Sequence, residues 1–350
     1  MVRILLSALA LLALLMLVAV LYLGVSASTP PLTDDRGNTV PGSIAVLESV
    51  ELGGLEQWIT IRGKHATNPV LLWLHGGPGS PQMPLAHHVD GRLEEEFVVV
   101  HWDQRGAGKS NHRGFDEETM RFDRFFDDAV ELVGYLRDRL DTDKLVLLGH
   151  SWGTQLGITL VDAHPEFFHA YIGVSQVVNH ERATEIAHDW LRQRIDPDQQ
   201  PGDWRTLNEI EIPARRHSEY RRLNQLTSAY GGSFDWPITR LARIVARAPE
   251  YTVLDYPRLL RGMNRGGGPM HEGGIMASYD FIATIPAVDV PAYFFSGAND
   301  YNTPLALVRE YYDALEAPEK ELVVFEESAH LPFLAETEKF TAEVIRVATR

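Results

Sequence analysis

The chain has 350 residues, 45% hydrophobic and 23% charged, which suits one large α/β domain with an insertion, or two domains. A formal net charge of −16 argues against a nucleic-acid partner, whose phosphates would repel it. With no cysteine there is no disulfide, no thiolate metal site and no cysteine nucleophile.

In chain order, Ile4 to Leu23 is apolar but for Ser7 and Tyr22, with Arg3 ahead of it. About twenty apolar residues suffice to span a bilayer, so residues 1–27 are expected to be a single-helix membrane anchor with the rest of the chain extracytoplasmic. The alternative is a signal peptide with its small-residue cleavage site at Val25-Ser26-Ala27, leaving a secreted or periplasmic protein. Residues 28–42, rich in Pro, Thr, Asp and Gly, read as a linker. "SIAVLESVEL" and "LEQWITIRG" then read as a hairpin bridged by Gly53-Gly54. "PVLLWLHGG" and "FVVVHWDQRG" follow as apolar strands ending in glycine, and Asp127 to Leu140 has helical spacing. "LVLL" and "AYIGVSQ" are further strands. Continuous apolar strands alternating with helices argue for a mostly parallel, doubly wound sheet covered on both faces.

Residues 175–285 break the pattern. They are mostly helical in character and carry 14 acidic residues against 14 arginines, with no lysine, so the acidity of the protein lies elsewhere. Strands return at "VPAYFFSGAND" and "ELVVFEESAH", and a final helix starts near Thr337. The expected organisation is a core (43–174 and 286–350) with a helical cap (175–285) inserted between strands.

The chemistry gathers where strands end. Gly149-His150-Ser151-Trp152-Gly153 lies between a strand and a helix, the context of a nucleophile elbow. A serine hydroxyl needs a base, and the base an orienting carboxylate. In this architecture the chain order is Ser, acid, His. Asp300 and His330 follow the last two strands and so fall at their C-terminal ends, where such sheets carry their sites. Asp280 and Asp289 are less well placed. Acyl transfer also needs an oxyanion hole, and the backbone N–H groups of Trp152 and of Gly77 in "HGGPG" are the expected donors. "DQRGAGKS" is not a phosphate loop, because Asp103 stands where the pattern needs glycine; Asp103 and Arg105 are expected to brace the loops by a charge-assisted hydrogen bond.

HGGPG, DQRGAGKS, GHSWG, SGANDYNTP and EESAHLPF, in that order, resemble the α/β-hydrolase fold and within it the proline iminopeptidase-like group. The resemblance runs from about Ser43 to the C-terminus. It implies a Ser151–Asp300–His330 triad and an aminopeptidase that releases N-terminal proline or similar residues from small peptides. It also implies acidic cap residues that hold the substrate's α-ammonium. Glu181 and Glu185, one helical turn apart, are the first choice, and Glu209 and Glu211 follow. An esterase or lipase on the same triad is the alternative, and a non-catalytic binding protein of the same fold a more distant one. The partners expected are a small-molecule or short-peptide substrate and, through the N-terminal segment, a membrane. No metal or cofactor is called for.

Overall fold

The computed structural model describes residues 2–24, 27–112, 114–234, 236–265, 268 and 279–349. Eight strands form one sheet: β1 (Ile44–Leu52), β2 (Leu55–Gly63), β3 (Val70–Leu74), β4 (Val98–Asp103), β5 (Leu145–His150), β6 (Phe168–Val174), β7 (Ala292–Gly297) and β8 (Lys320–Phe325). Their order is β1-β2-β4-β3-β5-β6-β7-β8. The β1–β2 and β2–β4 pairs are antiparallel and all others parallel. This is the doubly wound sheet the apolar runs lead one to expect.

Why these runs become central strands follows from their two faces. In β3, Leu72 and Leu74 enter one core cluster while Leu71 and Trp73 enter the other; in β5, Leu145 and Leu147 divide from Val146 and Leu148 in the same way. A strand buried on both faces has no place for polar alternation. Helices α2 (Phe122–Leu140) and α3 (Trp152–Ala163) cover the first face, through residues such as Leu132, Leu136 and Leu156. The α2 helix begins five residues earlier than the spacing predicts, its first turn anchored by buried Phe125. The chain reverses direction across the sheet between β3 and β5, so the loops after those strands border one crevice.

Between β6 and β7 lie the cap helices α4 (His180–Arg194), α5 (Pro201–Asn208), α6 (His217–Ala229), α7 (Ile238–Val245) and α8 (Tyr256–Arg265). Asn179 caps α4 by accepting from the Arg182 N–H at 3.0 Å. The cap has its own small core, including Trp190, Leu191, Leu207 and Leu223. It is fastened to the core beside the site. The Trp190 ring stacks on Tyr301 at 4.1 Å, and the N–H groups of Tyr301 and His330 donate to the Gly232 and Ser233 carbonyls at 2.7 and 3.1 Å. Helices α9 (Leu305–Ala314) and α10 (Thr337–Ala348) complete the layers.

The N-terminal segment is helical (α1, Val2–Gly24), but the expectation of a membrane anchor needs correction. Among the described residues no helix is long and apolar enough to cross a membrane. The extracytoplasmic, secreted and periplasmic placements rested on the same apolar run and fall with the anchor. Val25 and Ser26 of the expected cleavage site lie outside the described residues.

Candidate active site

Ser151 sits in the one-residue turn between β5 and α3, with φ 52° and ψ −119°. A non-glycine residue in that region is strained, and here the surroundings enforce it. Its N–H donates to the Val174 carbonyl at 3.0 Å, and its carbonyl accepts from Thr154 N at 2.8 Å. The flanking glycines are needed for space. A Cβ on Gly149 would lie 2.4 Å from the Gly153 carbonyl oxygen, and one on Gly153 would lie 2.2 Å from that of Leu74. The turn therefore closes only with glycine at both positions.

His330, five residues beyond β8, approaches Ser151 Oγ with Nε2 at 2.9 Å, while its Nδ1 meets Asp300 Oδ2 at 2.8 Å. Asp300 is buried and heavily hydrogen-bonded. Its Oδ1 accepts from the N–H groups of Asn302 and Thr303 at 2.8 and 3.0 Å, and Oδ2 accepts from Thr303 Oγ1 at 2.6 Å. Burial by itself would push this carboxyl up, but electrostatic attraction to His330 and the hydrogen bonds from His330 and Thr303 outweigh it and hold Asp300 below its usual value. An ionised carboxylate on Nδ1 fixes the tautomer in which Nε2 can accept the serine proton. By contrast Asp289 is exposed, ahead of β7.

Neutral histidines hold the surrounding loops. Burial lowers His75 to about 4 and, with the neighbouring His330, lowers His150 to about 3. His150 Nε2 donates to the His330 carbonyl at 3.0 Å and so supports the base from behind. His75 Nδ1 donates to the Gly76 carbonyl at 2.7 Å, and Nε2 accepts from the Gln104 N–H at 3.1 Å. Gln104 in turn accepts from the Trp152 indole N–H at 3.0 Å. This chain couples the loop after β3, the loop after β4 and the elbow. Gly77 (φ 119°) lies at the mouth of that first loop, where a Cβ would meet the Gly79 amide nitrogen at 2.6 Å.

The histidines also set a pH dependence. Their folded-state values lie below the ordinary 6.5, so below that pH the unfolded chain binds more protons and stability falls as pH drops. Asp103 acts in the opposite sense: burial raises it from 3.8 to about 7, so its contribution declines as pH rises through that window. Removing one histidine isolates its share. His150→Asn is expected to show a shallower loss of urea resistance than the parent between pH 6.5 and 4.5; equal slopes would contradict a neutral buried His150.

Two expectations about charged residues change. Asp103 and Arg105 do not brace each other. Arg105 makes a bidentate pair with buried Asp128 at 2.7 and 2.8 Å, whereas Asp103 Oδ2 accepts from Lys109 N and the Tyr251 hydroxyl at 2.7 and 2.5 Å. Glu181 and Glu185 are not brought to the serine. Arg215 holds Glu181 at the cap surface at 2.6 Å, and Glu185 is exposed. Glu209 pairs with Arg222, and Glu211 with Arg216, also on the exterior.

Two cavities meet at Ser151, sharing Gly77, Tyr220, Asn302 and His330 in their walls. The larger, about 440 Å³, opens under the cap along Pro81, Leu85, Arg221, Phe234 and Met263. The smaller, about 30 Å³, runs along α3 past Trp152 and Gln155 to Gln176 and His180. Among the described residues lining them there is no carboxylate, and Arg221 is the sole Lys or Arg.

Residues 69–337 match the family model of the alpha/beta hydrolase fold, more than half of the chain. The chain belongs to the α/β-hydrolase fold family. Within it, the chain is 33% identical over 313 residues to a probable aminopeptidase, YbaC, of Bacillus subtilis (strain 168), covering 87% of this chain and 97% of that one. It is 28% identical over 278 residues to the proline iminopeptidase of Heyndrickxia coagulans, covering 79% and 88%. Among solved structures, the proline iminopeptidase of Mycobacterium smegmatis superposes with a TM-score of 0.62 at 22% identity, covering 87% and 97%, a likeness of fold. Ser151, Asp300 and His330 follow the C-terminal ends of β5, β7 and β8. Gln104, His150 and Thr303 add support that the motifs alone did not single out, although a threonine three residues after Asp300 is an ordinary turn signal.

Proposed function

We propose that the protein is a serine aminopeptidase that releases a small N-terminal residue, proline or one of similar size, from short peptides. Ser151 Oγ attacks the scissile carbonyl carbon as His330 Nε2 takes its proton. The backbone N–H groups of Gly77 and Trp152 hold the oxyanion, each donor stabilising the transition state by about 2.7–4 kcal/mol. His330 then gives the proton to the departing amine. Water attacks the acyl-enzyme with His330 again as base, while Asp300 stabilises the imidazolium throughout.

The observation that carries this reading is the unbroken Asp300–His330–Ser151 chain of 2.8 and 2.9 Å contacts at the meeting of two unequal cavities. An enzyme that removes one terminal residue needs a confined space beside the serine for part of that residue and an open space for the remaining peptide. The cavities of about 30 and 440 Å³ differ in that sense.

Ester hydrolysis is a second reading, and one observation favours it. A substrate ammonium wants a carboxylate partner, and none lines either cavity among the described residues. The two readings separate when prolyl and alanyl arylamides are assayed beside short acyl esters. Arylamide turnover is expected. An enzyme that hydrolyses the esters and ignores both arylamides is an esterase, and the peptidase reading falls.

A further inference from the structure

Helix α6 turns one face toward the larger cavity. His217, Tyr220, Arg221 and Asn224 recur on it at spacings of three and four residues, and all of them line that cavity. Arg221 is exposed there and makes no ion pair or hydrogen bond among the described residues. Nearby arginines do. Arg222 is held by Glu209 at 2.8 Å and Arg216 by Glu211 at 3.1 Å, both on the cap exterior. The walls around Arg221 supply no counter-charge, because no carboxylate lines the cavity among the described residues. They are largely apolar, with Pro81, Leu85, Phe234, Leu241 and Leu259 among them. A charge in a cleft with apolar walls is screened less than one on an open surface, so it draws an anion. In a chain of net charge −16, with carboxylates to spare, this cation stands unpaired in the cavity that reaches Ser151.

We propose that Arg221 receives the terminal carboxylate of the departing peptide, so that the enzyme prefers di- and tripeptides with a free C-terminus. This rests on the aminopeptidase reading above and narrows its substrate. Under that reading the part beyond the scissile bond lies in the larger cavity, and in a short peptide that part ends in a carboxylate. An extended chain advances about 3.3–3.6 Å per residue, so one or two residues keep the carboxylate within about 7 Å of the scissile nitrogen. Longer peptides carry it farther from the serine. A guanidinium presents parallel N–H donors that match the two oxygens of a carboxylate. The same charge repels the substrate's α-ammonium, which therefore turns away from the larger cavity and toward the smaller one. Arg221 thus selects direction as well as length. The apolar walls suit a residue such as leucine after the scissile bond.

The test measures kcat/KM for prolyl-leucine and prolyl-leucyl-glycine beside their C-terminal amides, on the full chain and on Arg221→Gln, Arg221→Glu and Arg221→Lys. Amidation removes the charge and keeps the size. In at least one pair the acid-to-amide ratio is expected to fall by about fivefold or more in Arg221→Gln. It should fall further in Arg221→Glu and least in Arg221→Lys. Thermal unfolding checks that each variant folds, and an exposed side chain without bonds is a mild place to substitute. A ratio that is the same in the parent, Arg221→Gln and Arg221→Glu, for both pairs, overturns the proposal. Turnover of the prolyl arylamide in that case leaves the aminopeptidase reading standing. If neither the peptides nor the arylamide is hydrolysed, that reading has failed and the proposal falls with it.

Discussion

Ser151→Ala is expected to lower turnover by about 10⁴-fold or more while leaving the fold intact. The size follows from what the hydroxyl does: Ser151 Oγ is the nucleophile that meets His330 Nε2 at 2.9 Å, so without it the covalent path is lost rather than slowed. The fold should survive, because the strain at φ 52° is imposed by Gly149, Gly153 and the backbone bond to Val174, none of which uses the hydroxyl. Circular dichroism and thermal unfolding check the second half of the expectation. Undiminished turnover in a well-folded Ser151→Ala protein would end the serine-hydrolase mechanism.

The second large effect belongs to Asp300. Replacing it by asparagine keeps the shape but puts an N–H or a neutral oxygen against His330 Nδ1, which loses the carboxylate that selects the tautomer. A loss of about 10⁴-fold in kcat is expected. Asp289→Asn, on the exposed approach to β7, should change the rate by less than about twofold. Steady-state kinetics on the two variants side by side decide the matter. A larger loss at Asp289 would show that the acid has been assigned to the wrong carboxylate.

What could be read from the sequence divides by range. The elbow was legible because its requirements are local: Gly149 and Gly153 are demanded by contacts within a few residues and with β3. The positions of Asp300 and His330 were legible because apolar runs mark the strands whose ends they follow. The N-terminal run shows the limit of composition, for its apolar length alone suggested a span that the described helices do not provide. Partner choice over long distances was not legible. Glu181 and Glu185 do share a helix, but Arg215, 34 residues on, draws Glu181 outward, and nothing in the spacing of α4 reveals that. Likewise Arg105 finds Asp128, and Asp103 finds Tyr251 from the cap 148 residues away.

The most direct measurement is to treat the protein with a fluorophosphonate and locate the adduct by peptide mass mapping. A phosphonylated serine mimics the tetrahedral intermediate and forms where a serine hydroxyl is activated by its base. The account predicts one adduct, on Ser151, with complete loss of turnover and no adduct in Ser151→Ala. An enzyme that keeps working after treatment, or one labelled at a different serine as its activity disappears, would contradict it.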